Sequence, residues 1–143
     1  YIEKQLIPLC NMIVDHCGDD RVVHLIYGAT PTDDREKVRQ LVEKEDNSVI
    51  VASYGTFSTG VNIKRIHNIV FASPYKSQIR VLQSIGRGLR VADDKDELTL
   101  FDLSDDLVYN GVSNYTMKHM LERVNIYNEQ GFDYDIIPVG LDK

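Results

Sequence analysis

The run Gln83-Ser-Ile-Gly-Arg-Gly-Leu-Arg90 packs an amide, two guanidinium groups and two glycines into a short stretch. At about 100° per residue on a helix, Gln83, Arg87 and Arg90 fall within roughly 60° of one another. Leu82, Ile85 and Leu89 face the other way, so an apolar stripe can dock on a core while the polar groups project together. Gly86 and Gly88 permit close approach of a second surface and weaken the helix where the arginines are displayed. Guanidinium matches phosphate in a bidentate manner, so a polyanion is the natural partner. A solvated helix end would account for the arginines alone, but it leaves the glycines unexplained.

A second run, Ser53-Tyr-Gly-Thr-Phe-Ser-Thr-Gly60, follows directly on the apolar Val49-Ile-Val-Ala52. Small hydroxyl residues and glycines there can offer backbone N–H groups and hydroxyls to a phosphate. A tight crossover loop has the same composition, so this run is informative only beside the first. Tyr54 and Tyr75 begin loops where base stacking is possible. Charge joins the two runs. Residues 47–92 contain no Asp or Glu but carry Lys64, Arg65, Lys76, Arg80, Arg87 and Arg90, a local charge of +6. The rest of the chain holds 10 basic and 22 acidic residues, a charge of −12, which the overall −6 conceals. Buried strands explain part of this gap. The exposed loops within it point to a surface that meets phosphates, where carboxylates would repel the ligand.

These residues must be positioned by regular elements. Ile2, Leu6, Leu9 and Ile13 recur at helical spacing, and Gly18 stops that helix. The apolar run from Arg21 to Tyr27 predicts a strand ended by Gly28. Thr32 or Asp33 then caps a helix carrying Val38, Leu41 and Val42, with Asp33 and Glu36 in capping-box spacing. Val49–Ala52, His67–Ala72 and Leu98–Phe101 predict further strands, with a helix from Ser77 to about Arg87. Tyr115 to Tyr127 predicts a helix with Met117, Met120, Leu121 and Val124 on its apolar side, ended by Gly131. Tyr134–Val139 predicts a last, edge strand, since Pro138 cannot donate to a ladder. Strands alternating with helices imply an α/β fold with a mainly parallel sheet and helices on both faces. Ligands of such sheets gather at the carboxyl ends of the strands.

The 143 residues, 43% apolar and 27% charged, suit one globular domain spanning residues 1–143, without repeats or an internal linker. The chain opens at Tyr1 inside a helical pattern, so a piece of a larger protein is expected. No apolar run approaches the roughly 20 residues that cross a bilayer, and a membrane is not expected as a partner. Cys10 and Cys17 would lie about 10 Å apart on one helix, beyond the roughly 7 Å limit for a disulfide. A reducing cytoplasm is the expected setting. His16, His24, His67 and His119 are scattered without metal-ligand spacing, so no metal site is expected.

Taken in order, these segments resemble the second RecA-like domain of superfamily 2 helicases and translocases, a P-loop NTPase-like fold. Motif V of that family corresponds to Val51–Asn62, and motif VI, Gln-x-x-Gly-Arg-x-x-Arg, to Gln83, Gly86, Arg87 and Arg90. Tyr27-Gly28 followed by Thr32-Asp-Asp-Arg35 is similar to the segment that helps hold the nucleic-acid backbone. The run Glu122-Arg-Val-Asn-Ile-Tyr127, with Gly131-Phe132 after it, resembles a common tail of such domains. The wording of motif V is most similar to a phage branch of the family that remodels branched DNA.

The resemblance implies Arg90 as arginine finger and Arg87 as its companion at the γ-phosphate of ATP, with Gln83 orienting in the same cleft. It implies Gly60 and Asn62 beside the nucleotide, and Gly28, Arg35, Ser53 and Thr56 along a DNA backbone, branched or single-stranded. Asn62 stands where the family often has Asp, which weakens a ribose contact, and the loop after Ala52 is one residue longer than the common form. No Gly-x-x-x-x-Gly-Lys-Ser/Thr is present. ATP and Mg²⁺ would therefore be held mainly by an N-terminal RecA-like domain of the same polypeptide, and this chain alone would not hydrolyse ATP. Asp102 resembles the strand-end Asp that holds Mg²⁺ in P-loop ATPases, but without a P-loop it reads as a plain strand-end residue. A different class of protein, a non-enzymatic α/β module binding nucleic acid or a phosphorylated ligand, would use the same basic face.

Overall fold

The computed structural model describes residues 2–56, 63, 65–73, 82, 97–107, 110–112 and 114–140. They fall into two compact units, residues 1–69 with 80–100, and residues 70–79 with 101–143.

In the first unit a π-helical turn, Ile2–Leu6, runs into α1, Ile7–Cys17, with Pro8 in its first turn. Gly18, at φ +53°, ends α1 in a backbone conformation that side chains disfavour. Then follow β1 (Val22–Ile26), α2 (Thr32–Val42) and β2 (Ser48–Ala52). β1 and β2 pair in parallel, with Val22 opposite Ser48 and Ile26 opposite Ala52. Alternation along the strands puts Val23, Leu25, Val49 and Val51 on one face. α1 covers that face with Leu6 and Cys10, while Ile2, Ile13 and Tyr27 close the margin. Each such side chain taken from water contributes about 2 kcal/mol. Ile26, on the other face, has no exposed surface at all.

β3 (Asn68–Phe71) and β4 (Thr99–Asp102) form a second two-stranded sheet. The Thr99 N–H donates to His67 O and the Leu103 N–H to Phe71 O, the same sequence offset at both ends, as in a parallel pair. In the second unit α3, Tyr115–Gln130, starts at Asn114, whose side chain accepts from the Met117 N–H. It ends in a Schellman motif: Gly131, at φ +69°, donates to Asn128 O and Phe132 to Tyr127 O. No helix among the described residues is long and apolar enough to cross a membrane. The architecture is α/β with small parallel sheets, as the pattern of elements predicts.

Five local expectations need correction or completion. Residues 134–139 form no strand: Ile136, Ile137 and Val139 are 62%, 77% and 78% exposed. Two adjacent isoleucines cannot share one face of a strand, and Pro138 removes a donor. The capping box of α2 is absent. Pro31 occupies the cap position and Glu36 turns instead to Arg39 and Gln40. Residues 54–56 are helical where the sequence predicts a loop, and the Thr56 N–H donates to Ser53 O at 3.0 Å. α3 buries Arg123 and Tyr127 and leaves Leu121 56% exposed, so its inward face is rotated from the purely apolar one. Of the helix expected from Ser77 to Arg87, Leu82 alone is described; it is helical and buried.

Candidate functional site

Parallel pairing brings the carboxyl ends of β1 and β2 side by side. The Ser53 N–H donates to Ile26 O at 3.1 Å, so the segments following both strands are joined at their roots. After β1 the chain makes a turn in which Thr30 N–H donates to Tyr27 O at 2.9 Å, and Thr30 Oγ1 accepts from Tyr27 N–H at 3.0 Å. Gly28 lies exposed in this turn, and a Cβ added there would meet nothing within 4 Å. Arg35, in the first turns of α2, reaches back over it. Its Nε donates to Thr30 O at 2.8 Å and its Nη2 to Gly28 O at 2.9 Å. Arg35 thus clamps the turn that carries Gly28, with a fork suited to two acceptors at once.

After β2, Ser53 Oγ and Thr56 Oγ1 lie 2.8 Å apart, and Thr56 N–H donates to Ser53 O at 3.0 Å. Thr56 is 3% exposed while Ser53 is half-buried, so the first hydroxyl supports and the second faces outward. The structure therefore brings Gly28, Arg35, Ser53 and Thr56 to one end of one sheet. Gln83, Arg87, Arg90, Gly60 and Asn62 lie outside the described residues, as does Tyr75.

The phosphate-facing surface expected of the acid-free segment does not extend to Arg65. Its guanidinium pairs with Asp46 Oδ1 at 2.9 Å and donates to Glu43 O at 3.1 Å. Asp46 stands one residue before that segment begins, so the pairing crosses its boundary.

Asp102, at the end of β4, holds a cluster that sequence reasoning did not assemble. Arg123 donates through Nε to Oδ2 at 2.6 Å and through Nη2 to Oδ1 at 2.8 Å, and Nη2 also reaches Ser104 Oγ at 2.6 Å. Tyr127 OH donates to Oδ2 at 2.6 Å. Burial, then the hydrogen bond to Asp102, hold the Tyr127 phenol protonated well above the usual tyrosine range. Arg123 and Tyr127 lie four apart on α3, a spacing that puts them on one face and was a usable signal. Asp102 is a strand-end residue, and both its oxygens are taken, so it does not fit a Mg²⁺ ion. Among the described residues no three His, Cys, Asp or Glu side chains cluster to hold a metal. His24 Nε2 and Glu45 lie 2.9 Å apart across 21 residues of sequence, a pair without local signature. Cys10 and Cys17 are free, and burial raises the Cys10 thiol above its usual range.

The helicase conserved C-terminal domain matches residues 7–92, more than half of the chain. Over 129 residues the chain is 36% identical to the ATP-dependent DNA helicase uvsW of Enterobacteria phage T4, covering 83% of this chain and 26% of that protein. The chain thus spans about a quarter of its relative's length. No solved structure matches. Both motif-bearing strand ends and the loops expected of motifs V and VI fall within the matched residues. The chain belongs to the helicase C-terminal domain family.

Proposed function

We propose that this chain is the second motor domain of an ATP-dependent DNA helicase or translocase that remodels branched DNA in phage-type recombination, repair or replication. In this reading Arg90 is the arginine finger and Arg87 its companion. Both stabilise charge at the γ-phosphate as the phosphoryl group departs. Gln83 orients groups in the same cleft, and Gly60 and Asn62 border the nucleotide. ATP is gripped chiefly by an N-terminal RecA-like domain of the same polypeptide, to which Mg²⁺ also belongs. Closure of that domain on this one around ATP completes the site, and hydrolysis releases it. Alternating grip then moves the motor along DNA, in a cytoplasm that is the host's if the gene is a phage's.

The observation that supports this reading best is the juncture of the two motif loops. Ser53 N–H meeting Ile26 O sets the Gly28 turn and the Ser53–Thr56 segment together at the carboxyl edge of paired parallel strands. That is where an α/β sheet places its ligand. Gly28 lets a DNA backbone approach and Ser53 offers its hydroxyl. Arg35 and Thr56 hold those two groups in place, Arg35 with its remaining N–H groups also facing the strand.

The test is equilibrium binding of the whole protein to forked and to single-stranded DNA across a salt series. Affinity should fall steeply as salt rises, by about 0.7 to 0.9 in the logarithmic slope for each phosphate neutralised. Binding indifferent to salt would overturn the phosphate-facing surface. The reading frame should also encode a P-loop and an Asp-Glu strand upstream of Tyr1. A frame with neither would put the non-enzymatic binding module in its place.

A further inference from the structure

The charges on α2 are unevenly matched. Its three cations are all engaged: Arg35 on the Gly28 and Thr30 carbonyls, Lys37 on Asp34 at 2.9 Å, and Arg39 on Glu36 at 2.7 Å. Of its three carboxylates, Asp33 alone makes no hydrogen bond or ion pair among the described residues. Asp33 is exposed and stands in the first turn of the helix, two residues before Arg35. Arg35 N–H donates to Pro31 O at 3.1 Å, so that helical turn closes directly beside the Gly28 turn that the Arg35 side chain grips. Residues two apart lie about 200° around a helix axis, which sets Asp33 and Arg35 on opposite sides. Positive charge therefore lies over the Gly28 turn, and an unpaired negative charge lies on its α2 side.

A helix that starts just beyond the carboxyl end of a strand ordinarily offers its first N–H groups to a phosphate. Here Asp33 and Asp34 stand in that first turn. A carboxylate there complements the helix dipole and repels a phosphate of the same sign. The other flank of Gly28 is different. Ser53 N–H is bound to Ile26 O, the half-buried Ser53 hydroxyl faces outward, and residues 47–92 hold no Asp or Glu.

We infer that Asp33 is a specificity-determining residue for the DNA path: its charge shuts a phosphodiester out of the α2 side of the Gly28 turn and confines it to the side of Ser53. This rests on the DNA-binding reading proposed above. Asp33 acts through repulsion and without contact, so its removal should tighten binding, and salt should erase the gain.

The experiment is equilibrium binding of the full-length protein to a single-stranded oligonucleotide across a salt series, wild type beside Asp33→Asn, Asp33→Lys and Asp19→Asn. Asp19 is also exposed, and its replacement changes net charge equally. It precedes β1, so the five residues of that strand, about 17 Å, separate it from the Gly28 end. That exceeds the screening length of about 10 Å at 0.1 M salt. Asp33→Asn should bind about three- to tenfold tighter at the lowest salt, with the gain shrinking as salt rises. Asp19→Asn should stay within about 1.5-fold of wild type. Asp33→Lys should steepen the logarithmic salt slope by about 0.7, the signature of one further phosphate held.

Unchanged affinity in Asp33→Asn would overturn the inference. An equal gain in Asp19→Asn would trace the effect to net charge and overturn it too. Weaker binding by Asp33→Asn would make the carboxylate a DNA contact, again overturning it, as would a salt slope of Asp33→Lys no steeper than that of wild type. Should Asp33→Lys not fold, Asp33→Asn against Asp19→Asn carries the comparison. Wild-type binding indifferent to salt would defeat the phosphate-facing reading and this inference together. Salt-dependent wild-type binding with an indifferent Asp33 would defeat this inference alone.

Discussion

Gly28 offers a clean experiment at the scale of one residue. A Cβ there meets nothing within 4 Å, and its φ does not lie in the left-handed region. Gly28→Ala should therefore leave the melting temperature of the protein unchanged while weakening DNA binding several-fold, if a phosphate backbone lies against the turn. Unchanged DNA affinity would place the backbone elsewhere. Glu36 gives a second test. Hydrogen bonds from Arg39, then from Gln40, pull its carboxyl down to about 2. A lowered carboxyl stabilises the folded state above the ordinary carboxylate range near 4.3 and loses that contribution as pH falls towards about 2. Carbon-detected titration of Glu36 should show this midpoint, moving upward in high salt as the exposed pair is screened. A midpoint near 4.3 at low salt would contradict the pairing. Tyr127 runs the opposite way: its raised phenol supports the fold below about pH 10 and withdraws that support as pH climbs beyond.

At the scale of elements, α3 is held by its caps and by one charged cluster. Asn114→Ala should cost about 1 kcal/mol through the lost cap, and Gly131→Ala about 1 to 2 kcal/mol because of its φ of +69°. Arg123→Ala should cost more, about 3 to 5 kcal/mol, since it leaves the half-buried Asp102 with the Tyr127 hydroxyl but without its cation. Urea unfolding of the three variants checks the order, and Arg123→Ala as the mildest would contradict it. The elements themselves were legible where periodicity is local. α1, β1, β2, β3, β4 and the start of α3 lie within a residue or so of the pattern, because alternation and 3.6-residue spacing are set by neighbours in sequence. The failures share a cause. Apolar character alone predicts Leu121 inward. The charge on Asp102, brought near by β4, draws Arg123 inward instead, and the partners are 21 residues apart. The edge strand at 134–139 had strand-forming residues but no partner strand, and apolar composition alone supplies none. Likewise, Arg35 and Ser53 could be picked out from motif spacing, whereas the clamp on the Gly28 and Thr30 carbonyls depends on where α2 returns to the turn.

For the whole molecule, charge segregation matters more than net charge. In the proposed reading a chain of −6 meets phosphates largely through its acid-free stretch, which carries five basic residues besides Arg65. The family assignment rests on residues 7–92, a range that includes that stretch and ends just after motif VI. Sequence alone carried that motif, because Gln83, Gly86, Arg87 and Arg90 sit within one short run and need no long-range contact to be noticed. In the proposed mechanism Arg90 acts on the transferring phosphate in a site completed by a first RecA-like domain. DNA-stimulated ATP turnover of the full-length protein, wild type beside Arg90→Ala, tests it most directly. Turnover reduced roughly a thousandfold with DNA binding retained is the expected result for a finger acting on the transition state. Unchanged turnover in a well-folded Arg90→Ala protein would contradict it and move the binding-module reading ahead.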